Sequence, residues 1–146
     1  MLEVTADDIA ALADDDLRTL VALLCEADLR SRGLPVSAVT WGGHQDAADG
    51  GIDVRIELPA EIVMAGFIPR PATGFQVKKP DMPAGAITNE MQPGGVLRPS
   101  IQSLADRNGA YIIVSSTGSV ADTALADRRN AMTEAAKGAA SGASGR

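Results

Sequence analysis

The chain has 146 residues, a formal net charge of −6 and a sequence pI near 4.6. This length suits one domain with its own hydrophobic core, and the acidic balance argues against a self-sufficient DNA-binding module, which is usually basic. Cys25 is the only cysteine, which excludes an intrachain disulfide and a cysteine-based zinc site and favours a reducing, cytoplasmic location. No apolar run is long enough to span a membrane, so no membrane partner is expected.

Two helices are predicted at the N-terminus. A short helix is predicted to begin after Thr5, a capping residue followed by acids where the helix dipole favours them. A longer helix is predicted from Asp14 to about Arg32, with Gly33 as its stop. At helical spacing, its apolar face contains Leu17, Leu20, Val21 and Leu24.

Asp28 lies on this apolar stripe, about 20° from the direction of Leu17 on a helical wheel. Negative charge is disfavoured near a helix C-terminus, so this position requires an explanation. Either the helix delivers an acid beneath the sheet to a functional site, or Asp28 reaches solvent from the edge of the stripe. If Asp28 points away, Glu26 becomes the candidate. Cys25 is interpreted as core filler rather than as a nucleophile.

Three strands are predicted next, over residues 36–41, 50–58 and 74–79. A glycine-bounded loop over residues 42–50 separates the first strand from the second. The loop contains His44, the only histidine, which we expect to be solvated although contact with a phosphate stays open.

The second and third strands contain an acid, an amide and a lysine. Gln76 and Lys78 share one face of the third strand, because strand side chains alternate. If the two strands pair as a hairpin, Asp53 can converge with them at one edge. An acid, a second oxygen ligand and an ammonium suit metal-assisted phosphate chemistry. Asp53 alone also has a structural interpretation as a turn residue. It is expected to begin a polar strand face, opposite Ile52, Val54 and Ile56.

In the C-terminal half, a helix, a strand and a second helix are predicted. Residues 81–95 are interpreted as turn-rich, and Glu90 within them receives no role. Helices are predicted over residues 97–107 and 120–137. The uninterrupted apolar run over residues 111–114 is typical of a strand buried on both faces. Residues 138–146 are rich in Ala, Gly and Ser and predict a flexible linker after a single domain over residues 1–137. The chain is therefore expected to be an N-terminal fragment of a longer protein.

The pattern that joins Gly50-Gly51-Ile52-Asp53-Val54 to Gln76-Val77-Lys78 resembles the PD-(D/E)xK phosphodiesterase superfamily. It looks most like the Mrr-like restriction endonuclease branch, where Gln-x-Lys replaces (Asp/Glu)-x-Lys. The predicted α/β order over residues 15–114 also resembles the restriction-endonuclease-like αβββαβ core of that superfamily. In that core a mixed central sheet is flanked by helices.

The resemblance implies a Mg²⁺-dependent DNA endonuclease from a restriction or phage-defence system, with Mn²⁺ as a possible substitute. Asp53, Gln76 and the Val77 main-chain carbonyl would hold the metal. Lys78 would position and help deprotonate the attacking water and stabilise charge on the phosphate. Asp28 would add negative charge that the neutral Gln76 lacks. DNA is the expected partner, together with further domains of a longer chain, and the pattern allows a homodimer.

Two other functions stay open at this point. A catalytically degenerate module of the same fold, kept for DNA or protein binding, is favoured by the neutral Gln76 and by the acidic pI. A generic α/β interaction domain with no nucleic-acid role is the third interpretation. Cleavage of plasmid DNA that depends on Mg²⁺ or Mn²⁺ would separate the first interpretation from the other two.

Overall fold

A mixed four-stranded sheet lies between helices in the computed structural model, which describes residues 2–41 and 51–143. The strands, in their spatial order, are β1 (Val39–Thr40), β2 (Val54–Glu57), β3 (Ala72–Lys78) and β4 (Ala110–Ser115). β1, β2 and β3 pair antiparallel, whereas β3 and β4 pair parallel. The helices of the described residues are α1 (Ala6–Ala10), α2 (Asp14–Ser31), α3 (Ala84–Met91), α4 (Pro99–Asp106) and α5 (Asp122–Ala143). The predicted mixed α/β class is confirmed.

The two N-terminal helices begin where the sequence predicts. Thr5 caps α1 through a capping box, in which its side chain accepts from the Asp8 N–H and the Asp8 carboxylate accepts from the Thr5 N–H. α2 ends just before Gly33, which has a φ of +70° that a glycine adopts without strain. Local capping chemistry therefore determines both ends.

α2 covers one face of the sheet, but its buried arc is rotated from the predicted one. Leu24 is 47% exposed, whereas Cys25 and Leu29 are fully buried. The arc is centred near Cys25, about 80° around the helical wheel from Leu17. Asp28 therefore lies at the edge of the buried arc. The core on this face contains Leu17, Val21, Ala22, Cys25, Leu29, Val54, Ile56, Phe75 and Val77.

The burial of Cys25 leads to a prediction about thiol reactivity. Desolvation, followed by the nearby charges of Asp28 and Glu26, raises the pKa of Cys25 from 9.0 to about 12. We expect Ellman's reagent to label the native thiol slowly near neutral pH and to label it fully in denaturant. The raised pKa also means that Cys25 contributes stability fully below pH 9.0, and that this contribution is lost as pH rises toward about 12. Rapid stoichiometric labelling of the folded protein would contradict this assignment.

The three C-terminal helices cover the opposite face. Their core joins α3, α4 and α5 to β4 through Ile87, Met91, Ile101, Ala135, Tyr111 and Ile113. A smaller cluster contains Ile52, Ala72 and Leu104. A Cβ at Gly74 would lie 2.9 Å from Ile52 Cδ1 and 3.0 Å from Leu104 Cδ1, so a larger residue there would displace the ends of both side chains. Ile52 was expected on the face of Val54 and Ile56, but the backbone bends before β2 begins and turns Ile52 to the other side.

Three segments have a different secondary structure or burial from the one predicted. Residues 36–38 form a 3₁₀ turn after Pro35, which reduces the first strand to Val39–Thr40. Residues 81–95 were expected to be turns but contain α3, whose Ile87 and Met91 lie four residues apart on one buried face. Among the described strands β4 borders only β3, and it is half-buried throughout, so within that sheet it is an edge strand rather than a doubly buried one.

The last helix also extends beyond its predicted end. α5 continues to Ala143, so part of the segment predicted as a flexible linker is helical, consistent with the high helix propensity of alanine. The loop prediction for residues 42–50, including His44, lies outside the described residues. Within the described residues, no helix is both long and apolar enough to cross a membrane.

Candidate functional site

Asp53 is bound to the strand that contains Gln76 and Lys78. The Asp53 N–H donates to the Phe75 carbonyl at 2.7 Å, and Asp53 Oδ2 accepts from the Val77 N–H at 2.8 Å. The carboxylate thus extends the antiparallel ladder beyond the first residue of β2. Because the N–H and C=O of one strand residue point to the same side, the Val77 carbonyl also lies on the Asp53 side of β3.

The second oxygen of Asp53 faces α2. Arg18 Nε lies 3.6 Å from Asp53 Oδ1, and Arg18 Nη1 donates to Asp15 Oδ1 at 2.9 Å. The Lys79 N–H donates to Asp14 Oδ1 at 3.0 Å, which attaches the start of α2 to the end of β3. The first turns of α2 therefore border Asp53.

Asp28 contacts Arg32, and no contact with Asp53 is present among the described residues, so its predicted role at the site stays a prediction. Asp28 follows Arg18 by ten residues, or about 15 Å along the helix axis. Asp28 Oδ2 instead accepts from Arg32 Nε at 3.2 Å, and Arg32 Nη2 donates to the Ala65 carbonyl at 2.6 Å. Its side chain is 22% exposed, so the expected partial burial is present. Packing of α2 places its final turn away from the Asp53 end of β2.

Glu26 was the alternative acid on α2, and it too has another partner. Its Oε1 accepts from Trp41 Nε1 at 3.4 Å, a contact between α2 and the residue that follows β1. Glu26 lies eight residues after Arg18, about 12 Å along the helix axis. The contacts of Asp28 and Glu26 therefore join them to Arg32 and Trp41 rather than to Asp53.

Gln76 and Lys78 instead meet Glu90 of α3, to which sequence reasoning assigned no role. Gln76 Nε2 donates to Glu90 Oε1 at 3.2 Å, and Lys78 Nζ lies 3.8 Å from Glu90 Oε2. Arg98 Nη2 lies 3.5 Å from Glu90 Oε1, and the Glu90 side chain is only 18% exposed. The spacing of Ile87 and Met91 was the signal that predicts α3 and would have placed Glu90 on a helix.

The Gln76 side chain contains an unpaired oxygen. An ionised carboxylate only accepts hydrogen bonds, so the amide nitrogen of Gln76 faces Glu90 and the amide oxygen faces elsewhere. Gln76 is 4% exposed, and its Oε1 is buried without a hydrogen-bond partner among the described residues. Leaving such an atom unpaired costs about 1–3 kcal/mol. A water molecule or a cation would satisfy it.

The Tyr111 hydroxyl is a second buried polar atom without a partner in the described part of the chain. Tyr111 lies on β4 beside Gly74. Burial raises the pKa of Tyr111, the charges of Glu90 and Asp53 raise it further, and Arg98 opposes the increase.

Gly51 allows Arg98 to reach Glu90. Its φ is +105°, and a Cβ there would lie 2.9 Å from Arg98 Cδ and 3.2 Å from Arg98 Nε. Arg98 Nε also donates to the Glu90 main-chain carbonyl. The glycine immediately before Ile52-Asp53 is thus required by both its backbone conformation and its closeness to Arg98.

The donors at this site are hard oxygens, the type that Mg²⁺ prefers. They are the Asp53 carboxylate, which contacts the Val77 N–H and faces α2, the Gln76 amide oxygen and the Val77 carbonyl, with the Glu90 carboxylate of α3 beside the Gln76 amide nitrogen. Across residues 2–41 and 51–143, no three His, Cys, Asp or Glu side chains form a potential metal site by themselves. Metal binding here would therefore depend on an amide and a main-chain oxygen.

Comparisons with known proteins found no matching family model, no matching curated protein and no matching solved structure.

Proposed function

We propose that the protein is a metal-dependent endonuclease domain that hydrolyses phosphodiester bonds in DNA. The observation on which this depends is the buried, unpaired Oε1 of Gln76, located in a strand that also presents Lys78 and binds Asp53. The order α2, β1, β2, β3, helices and β4 supports the αβββαβ core implied by the resemblance to the PD-(D/E)xK superfamily. A restriction or phage-defence role would follow from this activity.

In this proposal Asp53, Gln76 Oε1 and the Val77 carbonyl hold Mg²⁺, for which Mn²⁺ can substitute. When bound, the ion would polarise a phosphate oxygen and lower the pKa of a water molecule. The buried oxygen of Gln76 fits a cation because it has no other partner in the described residues. The β3 backbone fixes Asp53 through Val77, so the carboxylate is held in place before any ligand binds.

Lys78 provides the positive charge. Its side chain is 39% exposed, so a phosphate in solution can reach it, and Glu90 restrains its ammonium at 3.8 Å. The ammonium would orient the attacking water and stabilise charge that develops on the phosphate. Because the net charge of −6 disfavours binding to the phosphate backbone, further domains or a second subunit would supply most of the contacts with the duplex.

The second candidate is a binding module of the same fold that has lost catalysis. The Gln76–Glu90 hydrogen bond and the Glu90–Lys78 ion pair favour it, because these groups satisfy one another without substrate. Nicking of supercoiled plasmid across a titration of Mg²⁺ and Mn²⁺ distinguishes the two functions. Folded protein that binds DNA without cutting it in either metal would support the binding module.

Asp53→Asn is expected to weaken Mn²⁺ binding and cleavage together, because it removes the negative charge nearest to Val77, and high Mn²⁺ should partly restore cutting. Asp28→Asn is the matched control, since this acid pairs with Arg32 about 15 Å along α2 from Arg18. We expect the control to cut at close to the wild-type rate. Equal losses in both variants, with circular dichroism showing both folded, would contradict the site.

A further inference from the structure

We infer that Glu90 supplies the anionic metal ligand that Gln76 cannot supply, so that the ligand set is divided between β3 and α3. This inference rests on the proposed metal-dependent function. It replaces the role expected of Asp28 with that of a residue on a different element.

The proposed site has too little negative charge without Glu90. Asp53 contributes one carboxylate, whereas Gln76 and the Val77 carbonyl are neutral. Asp53 is also partly neutralised by Arg18, whose Nε lies 3.6 Å from Oδ1. Hard divalent cations are held most tightly where several ligands are charged, so a second carboxylate is the missing component.

Glu90 has the capacity to be that carboxylate. Its Oε1 accepts from Gln76 at 3.2 Å and lies 3.5 Å from Arg98, whereas Lys78 lies 3.8 Å from Oε2, beyond hydrogen-bond length. Two carboxylate oxygens provide about four acceptor positions, so Oε2 retains room for a cation. The Gln76 amide that contacts Glu90 through Nε2 is more than nine-tenths buried, and its Oε1 is unpaired among the described residues, so the same side chain contains a second ligand atom that has no partner.

α3 holds Glu90 rigidly. Ile87 and Met91, on the same helix, are each 2% exposed and pack into the core between α3, α4 and α5. Arg98 donates to the main-chain carbonyl of Glu90 and packs against Gly51. The carboxylate therefore does not need to be ordered when a ligand binds, which reduces the entropic cost of binding.

The experiment moves the negative charge from position 90 to position 76, the two residues that the Gln76–Glu90 hydrogen bond joins. Glu90→Gln removes the charge, and the double variant Q76E/E90Q places it on β3 while an amide–carboxylate contact is retained. We expect Mn²⁺ affinity, measured by electron paramagnetic resonance without DNA, to fall about 10–100-fold in Glu90→Gln and to return to near the wild-type value in the double variant. Glu57→Gln is the control, because Glu57 is exposed and pairs with Arg107.

The outcomes separate this inference from the proposed function. Unchanged Mn²⁺ affinity in folded Glu90→Gln would overturn the ligand role, whether or not the protein cuts DNA. Loss in Glu90→Gln that the double variant does not restore would assign Glu90 to neutralising Arg98 and would also overturn it. If Mn²⁺ binding is weakened in Glu90→Gln and restored in the double variant, but neither these variants nor the wild type cuts DNA, the result would support Glu90 as a ligand and contradict the nuclease function. Wild-type protein that does not bind Mn²⁺ would overturn both.

Discussion

Replacing Lys78 with methionine is expected to reduce DNA cleavage by at least about 10²–10⁴-fold, the range typical of general acid–base assistance. The fold should survive, because the side chain is 39% exposed and methionine retains an apolar chain of similar length. Metal binding should stay close to that of the wild type, because lysine is not a ligand and its removal relieves repulsion of the cation. The loss should therefore be in the rate of cutting.

Nicking of supercoiled plasmid across a metal titration measures this loss, with circular dichroism as the folding control. Lys79→Met is the matched variant, since it removes the same charge from the next residue, whose main-chain N–H rather than side chain contacts Asp14. We expect Lys79→Met to cut within a few-fold of the wild-type rate. A folded Lys78→Met protein that cuts as fast as the wild type would refute the assigned role of Lys78.

Replacing Phe75 with alanine is expected to lower the free energy of unfolding by about 3–5 kcal/mol, the usual cost of removing a buried aromatic ring. Phe75 is 1% exposed and lies in the middle of β3, which is buried along most of its length. It packs into the core beneath α2 and stacks on Phe67, with ring centroids 5.4 Å apart. The cavity would open on the α2 side of β3, the strand that also contains Gln76.

Urea unfolding followed by circular dichroism measures this effect. Phe67→Ala is the control, because Phe67 is the other member of the stacked pair but is 43% exposed, and we expect a clearly smaller loss. Equal losses in the two variants would show that the core beneath α2 does not depend on Phe75 in the way its burial indicates.

Local patterns in the sequence predicted much of the fold. Capping at Thr5 and the stop at Gly33 determine where helices begin and end, and alternation along β3 determines that Gln76 and Lys78 share a face. These features depend on interactions between residues a few positions apart. The roles assigned to Asp53, Gln76 and Lys78 stay predictions that the experiments above test.

Tertiary packing decided which acid accompanies Gln76 and Lys78. On the helical wheel Asp28 falls near Leu17, but packing centres the buried arc of α2 near Cys25 and places Asp28 beside Arg32. Glu90 comes from α3, whose position depends on burial of Ile87 and Met91 against α4 and α5. Sequence periodicity specifies a direction around one helix, whereas the distance between two elements depends on how their apolar faces pack together. For that reason the sequence by itself identified the residues of β3, and only the folded chain identified Glu90.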